Sequence, residues 1–210
     1  MKKKYFIKKS NYNIKIISQK IILVPIIKKH ISKEYLSWLK NKKLTKYLEL
    51  RNNKISTNNV INYINFLRSD KNLECFAIED KNSRHIGNIF ITKVDKINKI
   101  GTYGILIGDT KSRLSGYGLF SSLLIIEYLF NQLKINKIQG SCITKNYSSW
   151  KLLENLGFEK EGFLKNQCYK SNNNYYDSFL YGLQKKDWKI KKKKFNFFLK
   201  NIQYTRKLKN

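Results

Sequence analysis

The chain has 210 residues and a formal net charge of +29, and 41% of its residues are hydrophobic and 14% aromatic. At this length one domain of α/β or α+β type with its own core is expected, and the composition excludes wholesale disorder and a collagen-like or Pro-rich chain. No apolar run approaches the roughly 20 residues that span a bilayer, which predicts a cytoplasmic protein.

Hydrophobic periodicity predicts the elements of the first half of the chain. Residues 1–16 show no convincing period and are expected to form a basic N-terminal extension. Ser32 suits the N-cap of a helix in which Tyr35 and Leu39 share one face, and Ser56 can cap a later helix. Strands are expected at residues 17–26, 73–79 and 86–93, and helices at residues 32–41, 44–50 and 56–67.

The second half contains the most regular helix. After Gly118, apolar residues recur at three- and four-residue intervals, which predicts a long helix with one apolar face. Gly157 suits the left-handed position that closes a helix. The apolar positions are Leu119, Leu123, Ile126, Phe130 and Leu133. The other expected elements are strands at 102–107 and 138–144, a helix at 147–156, and a hairpin of 158–169 with 175–183.

The cysteines and histidines form no recognisable metal-binding or catalytic motif in the sequence. Cys75, Cys142 and Cys168 stand far apart, and none belongs to a CxxC or Cys/His cluster, which favours free thiols in a reducing compartment. His30 and His85 are the only histidines. A metal site or a Ser-His-Asp triad is therefore not expected.

A glycine-rich turn joins the strand at 104–107 to the long helix. It consists of Arg113-Leu114-Ser115-Gly116-Tyr117-Gly118. Such a turn gathers unpaired N–H groups at the positive end of the helix dipole, an arrangement that suits a pyrophosphate. No Gly-Lys-Ser/Thr follows, so it is not a Walker A loop, and Ser121 stands where a Rossmann fingerprint has its third glycine.

These residues, together with motifs elsewhere, resemble a known enzyme family. The turn is similar to the acetyl-CoA-binding motif Arg/Gln-x-x-Gly-x-Gly/Ala of the GNAT N-acetyltransferases. Further segments resemble the RimJ/RimL-type branch, in the expected order over roughly residues 17–188. These segments are Tyr35-Leu36-Ser37-Trp38-Leu39, Thr45-Lys46-Tyr47-Leu48-Glu49, Asn146-Tyr147-Ser148-Ser149, Leu156-Gly157-Phe158 with Glu161-Gly162, and Tyr176-Asp177 with Tyr181-Gly182-Leu183.

The resemblance implies a GNAT fold, in which helices flank a mixed sheet of about seven strands. Two central parallel strands, here residues 102–107 and 138–144, would splay apart around the pantetheine arm of acetyl-CoA. Residues 17–188 would form the acetyltransferase domain, and residues 189–210 a basic aromatic tail. Acetyl-CoA is implied as co-substrate, without a metal.

The resemblance also implies which residues hold acetyl-CoA. The backbone around Ile107 would bond the pantetheine amides and polarise the thioester carbonyl. Asn146 would lie near the pantetheine, although it suits a plain helix cap equally. The amides of Arg113, Leu114, Ser115, Gly116, Tyr117 and Gly118 would hold the pyrophosphate.

Two family positions depart from the expected catalytic residues. Leu153 stands where many GNAT members have a tyrosine that returns a proton to the thiolate, and Thr102 stands where related sequences often have a glutamate. Ser149 is the candidate substitute for the tyrosine, unless its hydroxyl bonds within its own helix. Glu49 is the candidate base, and it also fits a solvated charge at a helix end. Tyr47, Arg51 and Trp38 are candidates for the acceptor groove.

The acceptor is expected to be a primary amine. A nucleotide-linked amino-sugar in surface-polysaccharide synthesis ranks first, a protein N-terminus such as that of a ribosomal protein second, and a polyamine third. Residues 21–184 carry +12, which repels a polyamine and attracts an anionic substrate.

The charge of the two ends has two explanations. Residues 1–20 carry seven lysines and no acid, and residues 185–210 carry eleven basic residues against one acid. Only five of the 43 basic residues are arginine, as AT-rich codon bias would give. The alternative is an inactive acetyltransferase-like module whose tails bind RNA or an anionic membrane through lysines and aromatic residues. The C-terminal aromatic residues fit a helix packed on the domain equally; they are Trp188, Phe195, Phe197, Phe198 and Tyr204.

Overall fold

A single sheet of nine strands organises the chain. The computed structural model describes residues 14–48, 54–113, 115–171 and 173–206. The strand order is β7-β8-β6-β5-β4-β3-β2-β1-β9, and every neighbouring pair is antiparallel except β5 with β6. The strands are β1 (Ile14–Ile17), β2 (Ile21–Pro25), β3 (Glu74–Asp80), β4 (His85–Asp95), β5 (Ile100–Ile107), β6 (Lys137–Ile143), β7 (Glu159–Ser171), β8 (Asn174–Gln184) and β9 (Gln203–Arg206).

Helices cover both faces of the sheet, so that each face has its own apolar cluster. One cluster includes Leu123 and Ile126 of α4, and the other includes Tyr35 of α1 and Ile64 of α3. Within the described residues, no helix is long and apolar enough to cross a membrane. The helices are α1 (Lys33–Lys40), α2 (Lys42–Thr45), α3 (Thr57–Ser69), α4 (Tyr117–Glu127), α5 (Tyr147–Leu156), α6 (Lys185–Lys191) and α7 (Asn196–Leu199).

The mixed α/β fold confirms the sequence-based prediction, and the sheet has two strands more than the expected seven. The additional strands are β1 and β9, which pair with each other at one edge, with Ile14 opposite Arg206 and Ile17 opposite Gln203. Each has four residues, too few to show an alternating pattern in the sequence. Their pairing connects segments almost 190 positions apart, and no local signal can indicate such a contact.

Helix caps were the most reliable local signals. Ser32 caps α1 by accepting a hydrogen bond from the Tyr35 amide, and Ser56 caps α3 in the same way, as predicted. The helix predicted at 44–50 is misplaced over the described residues: α2 is Lys42–Thr45, with Asn41 as its cap, and residues 49–50 lie outside the described residues. The error arises because Asn41 also ends α1, so one residue closes one helix and opens the next.

The long helix differs from its prediction in shape and in burial. α4 ends at Glu127, and the chain continues as a π-helical turn over Tyr128–Gln132. Every residue from Phe120 to Glu127 is buried, whereas the periodicity predicted a single apolar face. The reason is that the helix lies between the sheet and the C-terminal segment, whose α7 packs against it.

The C-terminal segment, residues 185–206, packs most of its large aromatic side chains on the domain, although Phe197 is exposed. Trp188 is 2% exposed, and Phe195 is buried beside it. The Trp188 indole donates a hydrogen bond to Glu127 Oε1 at 2.5 Å, and Lys192 lies 3.1 Å from the same oxygen. This burial favours a packed segment over a free tether. The division expected at residue 188 falls inside α6 and stays a prediction.

Lysines of the same segment bond the ends of other helices. Lys191 Nζ donates to the Gly157 carbonyl at 2.8 Å, and Lys194 Nζ donates to the Asn155 carbonyl at 2.8 Å, both at the C-terminus of α5. Lys185 Nζ donates to the Phe130 carbonyl at 2.7 Å. The C-terminus of a helix carries unpaired carbonyls and partial negative charge, so these lysines stabilise the fold.

Candidate active site

A cleft opens between the two parallel strands. β5 and β6 pair only at their beginnings, and the last pair joins Thr102 to Gln139. Beyond that point β5 stays paired with β4 as far as Ile107, and β6 stays paired with β8 as far as Ile143. The two strands therefore separate, as the family resemblance implied, and each presents a backbone edge to the cleft.

The glycine-rich turn lies at the end of β5. Asp109 accepts a hydrogen bond from the Ser112 amide at 3.0 Å. The exposed Arg113 folds back so that its Nε donates to the Ile107 carbonyl at 3.2 Å. Gly116 is the N-cap of α4 in the left-handed region, at a φ of 77°, which glycine adopts without strain.

The N-terminus of α4 faces the cleft. The first amides of a helix lack hydrogen-bond partners within it. In α4 the helical hydrogen bonds begin with the Phe120 amide, which donates to the Gly116 carbonyl at 3.0 Å. A Cβ built on Gly118 would lie 3.8 Å from Ile107 and 3.9 Å from Leu152, at ordinary contact distance. Gly118 therefore lies between the end of β5 and α5, beside a positive helix terminus.

α5 contributes the two polar residues expected from the sequence. Asn146 occupies its N-cap position, but its side chain makes no capping hydrogen bond, so the plain-cap alternative is not what the structure has. Ser149 is half-buried one turn later, and its hydroxyl has no hydrogen bond to its own helix among the described residues. Leu153 packs on Gly140, where a Cβ would come 3.2 Å from the leucine side chain.

The face of β5 that points away from α4 has unfilled space beside it. Leu106 packs into the cluster of α1 and α3, so alternation places Gly104 and Thr102 on that same face. A Cβ built on Gly104 would meet no atom within 4 Å. The Thr102 hydroxyl lies 2.8 Å from that of Thr92. This open surface, which we call the acceptor face, leaves room for a second substrate at the cleft.

Aromatic and basic side chains meet where the segment after α2 contacts β8. Tyr47, named from the sequence, forms an edge contact with Tyr176 of β8 at 5.8 Å between ring centroids. Lys46 Nζ lies 5.1 Å from the Tyr47 ring, and Lys170 Nζ lies 5.6 Å from the Tyr176 ring. The sequence did not identify Tyr176 as a site residue, because only its pairing across the fold brings it to Tyr47.

Of the remaining residues named from the sequence, the structure describes Trp38 and places it at the end of β5. Trp38 packs directly on Gly108, where a Cβ would lie 2.0 Å from the indole ring. Glu49, Arg51 and Leu114 lie outside the described residues, so their predicted roles stay predictions.

Two histidines that sequence reasoning left aside form a buried cluster next to Trp38. The His85 ring lies 5.1 Å from that of Trp38 and 5.2 Å from that of His30. His30 Nε2 donates to Glu79 at 2.9 Å, and His85 Nε2 donates to Asn88 at 3.1 Å. Burial lowers the pKa of His30, and it lowers the pKa of His85 to about 4. Both rings are therefore neutral at pH 7.

The low pKa of His85 predicts a loss of stability in mild acid. In the unfolded chain His85 becomes protonated once the pH falls below its usual pKa of about 6.5. In the folded chain it stays neutral until the pH reaches about 4. His85 should therefore lower the free energy of unfolding by about 2 kcal/mol between pH 7 and pH 5. Urea unfolding of wild type and His85→Gln at both pH values measures this contribution, and an equal pH dependence in the two proteins would contradict it.

Comparison with known proteins identifies the family. The model of the acetyltransferase (GNAT) domain matches residues 20–159. The uncharacterized N-acetyltransferase YnaD of Bacillus subtilis (strain 168) is 27% identical over 73 residues, which cover 35% of this chain and 42% of YnaD. The match thus spans less than half of that relative.

Solved structures share the fold. The spermidine N-acetyltransferase of Vibrio cholerae in complex with CoA and spermine superposes with a TM-score of 0.72 at 18% identity, covering 80% of this chain and 97% of that one. The microcin C7 self-immunity acetyltransferase MccE in complex with acetyl-CoA and AMP gives 0.68 at 19% identity, covering 79% and 93%. Since the matched domain covers more than half of the residues, the chain belongs to the GNAT acetyltransferase family.

Proposed function

We propose that this protein transfers the acetyl group of acetyl-CoA to a primary amine at the cleft between β5 and β6. The observation that carries the proposal is the separation of these strands beyond Thr102 and Gln139, with the N-terminus of α4 at the end of the cleft. An extended amide-containing arm fits between two open strand edges, and a pyrophosphate fits a helix N-terminus. Residues 17–188 are the proposed catalytic domain, and the proposed location is the cytoplasm.

The residues around the cleft fit acetyl-CoA. In this proposal the backbone at Ile107 bonds the pantetheine arm, and the Asn146 side chain, which has no capping role, contacts the same arm. The amides of Arg113 to Gly118 hold the pyrophosphate, and the Arg113 guanidinium at the Ile107 carbonyl adds a positive charge beside it. Glycines at 116 and 118 let the backbone approach the phosphates closely.

The chain supplies positioning and proton transfer. Acetyl-CoA brings the acetyl group as an activated thioester. The backbone N–H groups of β5 donate to the thioester oxygen, where negative charge develops, and the acceptor face holds the amine. The amine must lose a proton, for which Glu49 is the proposed base. Ser149 is proposed to donate a proton to the departing thiolate, since its hydroxyl is uncommitted among the described residues.

The proposed acceptor is a nucleotide-linked amino-sugar, as expected for a RimJ/RimL-type enzyme of surface-polysaccharide synthesis. The half-buried Tyr47, which packs edge-on against the buried Tyr176, offers aromatic surface for a sugar or base, and Lys46 and Lys170 beside this pair attract phosphate. These lysines disfavour a polycation such as the spermine of the Vibrio complex, whereas MccE holds AMP together with acetyl-CoA. Turnover with an amino-sugar nucleotide, an N-terminal peptide and spermidine distinguishes the acceptors. Spermidine as the preferred substrate would overturn the assignment.

A pair of substitutions at Gly118 tests where acetyl-CoA binds. Gly118→Ala adds a methyl group at ordinary contact distance from Ile107 and Leu152 and should bind acetyl-CoA about as well as wild type. Gly118→Trp fills the space beside the turn and should weaken binding by about 100-fold or more. Calorimetric titration measures both.

The wild-type protein should bind acetyl-CoA with micromolar affinity in the same titration. If a folded wild type binds no acetyl-CoA, the proposed function is wrong. If Gly118→Trp remains folded and binds normally, acetyl-CoA lies elsewhere.

A further inference from the structure

The C-terminal segment repeats one pattern twice along its helical turns. α6, the 3₁₀ turn Lys192–Phe195 and α7 follow one another without a break. In each half, a lysine, a buried aromatic residue and an exposed apolar residue stand at every second position. The first triplet is Lys186, Trp188 and Ile190, and the second, seven positions later, is Lys193, Phe195 and Phe197.

The buried aromatic residues fix which side of these turns faces the domain. Trp188 and Phe195 are 2% and 7% exposed, and their rings lie 6.1 Å apart within the core cluster of α4. A step of two residues crosses to the opposite side of a helix with about 3.6 residues per turn. The lysine before each aromatic residue and the apolar residue after it therefore share the outer side. We call this side the outer face; it consists of Lys186, Ile190, Lys193 and Phe197.

The outer face leaves apolar surface in water. Ile190 is 69% exposed and Phe197 is 68% exposed. Their separation of seven residues corresponds to about 10 Å along a helix axis. A single exposed apolar residue is ordinary, but these two stand on the same side of one helical segment with lysines beside them. Apolar side chains flanked by lysines are the features with which amphipathic helices bind a membrane surface.

The lysines of the segment divide into two groups. One group bonds carbonyls or carboxylates of the domain and consists of Lys185, Lys191, Lys192 and Lys194. In the other group, the side chains of Lys186, Lys189 and Lys193 are exposed and make no hydrogen bond or ion pair within the part of the chain that the structure describes. Asp187 is the only acid in residues 185–206. The outer side of the segment therefore carries positive charge that the fold does not use.

We propose that the outer face binds an anionic lipid surface, with Ile190 and Phe197 inserted between the headgroups and Lys186 and Lys193 paired with lipid phosphates. Lysines close to an anionic bilayer and apolar side chains buried in it both contribute to binding. The buried aromatic residues hold the segment on the domain, so the whole folded domain is placed at the membrane surface. This inference goes beyond the proposed acetyl transfer and does not depend on it.

The side chains of the outer face fit lipid better than RNA. Ile190 has no ring on which a base can stack, so the face offers one aromatic platform instead of a series. Residues 185–199 contain no arginine, whose planar group suits the paired hydrogen bonds of nucleic-acid recognition. An aliphatic side chain gains free energy on entering a bilayer and gains little on a base.

Binding of the full chain to sedimented vesicles tests the proposal. Vesicles of phosphatidylcholine with about 30% phosphatidylglycerol are compared with vesicles of phosphatidylcholine alone. Wild type should bind the anionic vesicles at least about tenfold more tightly. The double variants Lys186→Gln/Ile190→Ser and Lys193→Gln/Phe197→Ser should each weaken this binding by about tenfold, because each removes one charge and one inserted side chain.

A matched control is needed because the large positive charge of the chain attracts any anionic surface. The double variant Lys96→Gln/Ile97→Ser makes the same chemical change in the turn between β4 and β5, where both residues are exposed. It should bind the anionic vesicles as wild type does. All of these substitutions are at exposed positions, so the circular dichroism spectrum and the unfolding midpoint should match those of wild type.

Three outcomes would overturn the proposal. Wild type could bind the two kinds of vesicle equally, or bind neither. The control variant could lose as much affinity as the two outer-face variants, which would leave only the general charge of the chain. Finally, a single-stranded RNA could bind more tightly than the anionic vesicles and be released by the outer-face substitutions, which would make the face a nucleic-acid site.

Discussion

Replacing Ser149 by alanine is expected to lower kcat for acetyl transfer by about 10²–10⁴-fold, the range for loss of a positioned proton donor. The residue lies three positions into α5, beside the cleft, and its hydroxyl has no hydrogen bond to its own helix among the described residues. Leu153 occupies the position of the usual tyrosine and has no proton to give. In the Ser149→Ala variant, no side chain at this position would protonate the departing thiolate.

The neighbouring serine supplies the control for this prediction. Ser148 is exposed on the same turn of α5, so Ser148→Ala makes the same chemical change at the same depth in the helix. It should leave kcat within about twofold. Calorimetric affinity for acetyl-CoA should stay near wild type in both variants, which separates proton transfer from donor binding. A Ser149→Ala enzyme with wild-type kcat would assign the proton to water or to another residue.

The sequence predicted the elements that flank the proposed donor site, because the signals for those elements are local. The bounds of α5, Tyr147–Leu156, and the left-handed Gly157 as its C-cap both follow from residue types at fixed spacing. The separation of β5 and β6 was implied by the family resemblance. The structure confirms it through the end of their pairing at Thr102.

The remaining features depend on contacts between distant parts of the chain. Tyr47, which follows α2, meets Tyr176 of β8, and Glu127 meets Trp188 from a position 61 residues earlier. Residue types alone cannot predict such pairs, because many other tyrosines and acids would serve as partners. The sequence therefore left two alternatives for the C-terminal aromatic residues, and only the packed fold favours one.

These distant contacts place the C-terminal segment behind the donor site. α4 carries the pyrophosphate turn at its N-terminus, and its C-terminal residue Glu127 bonds Trp188 and Lys192 of the segment. Asn131 Nδ2 donates to the second Glu127 oxygen at 2.7 Å. Because the Glu127 carboxylate is buried, its stability depends on these donors. The orientation of α4, and with it the proposed site, therefore depends on the end of the chain.

Trp188→Ala is expected to lower the free energy of unfolding by about 3–5 kcal/mol, as for other large-to-small changes in a core. The side chain is 2% exposed, and its removal leaves a cavity next to Phe195 as well as a weaker set of donors around Glu127. Trp188→Phe fills most of that space but removes the indole N–H, so a loss of about 1–3 kcal/mol is expected. Urea unfolding followed by circular dichroism measures both.

Ile190→Ala is the matched control, because Ile190 is 69% exposed on the same helix and its truncation should change stability by no more than about 0.5 kcal/mol. The order Trp188→Ala, then Trp188→Phe, then Ile190→Ala separates packing from hydrogen bonding at a single position. Equal stability of Trp188→Ala and Ile190→Ala would mean that the C-terminal segment does not belong to the cooperative fold.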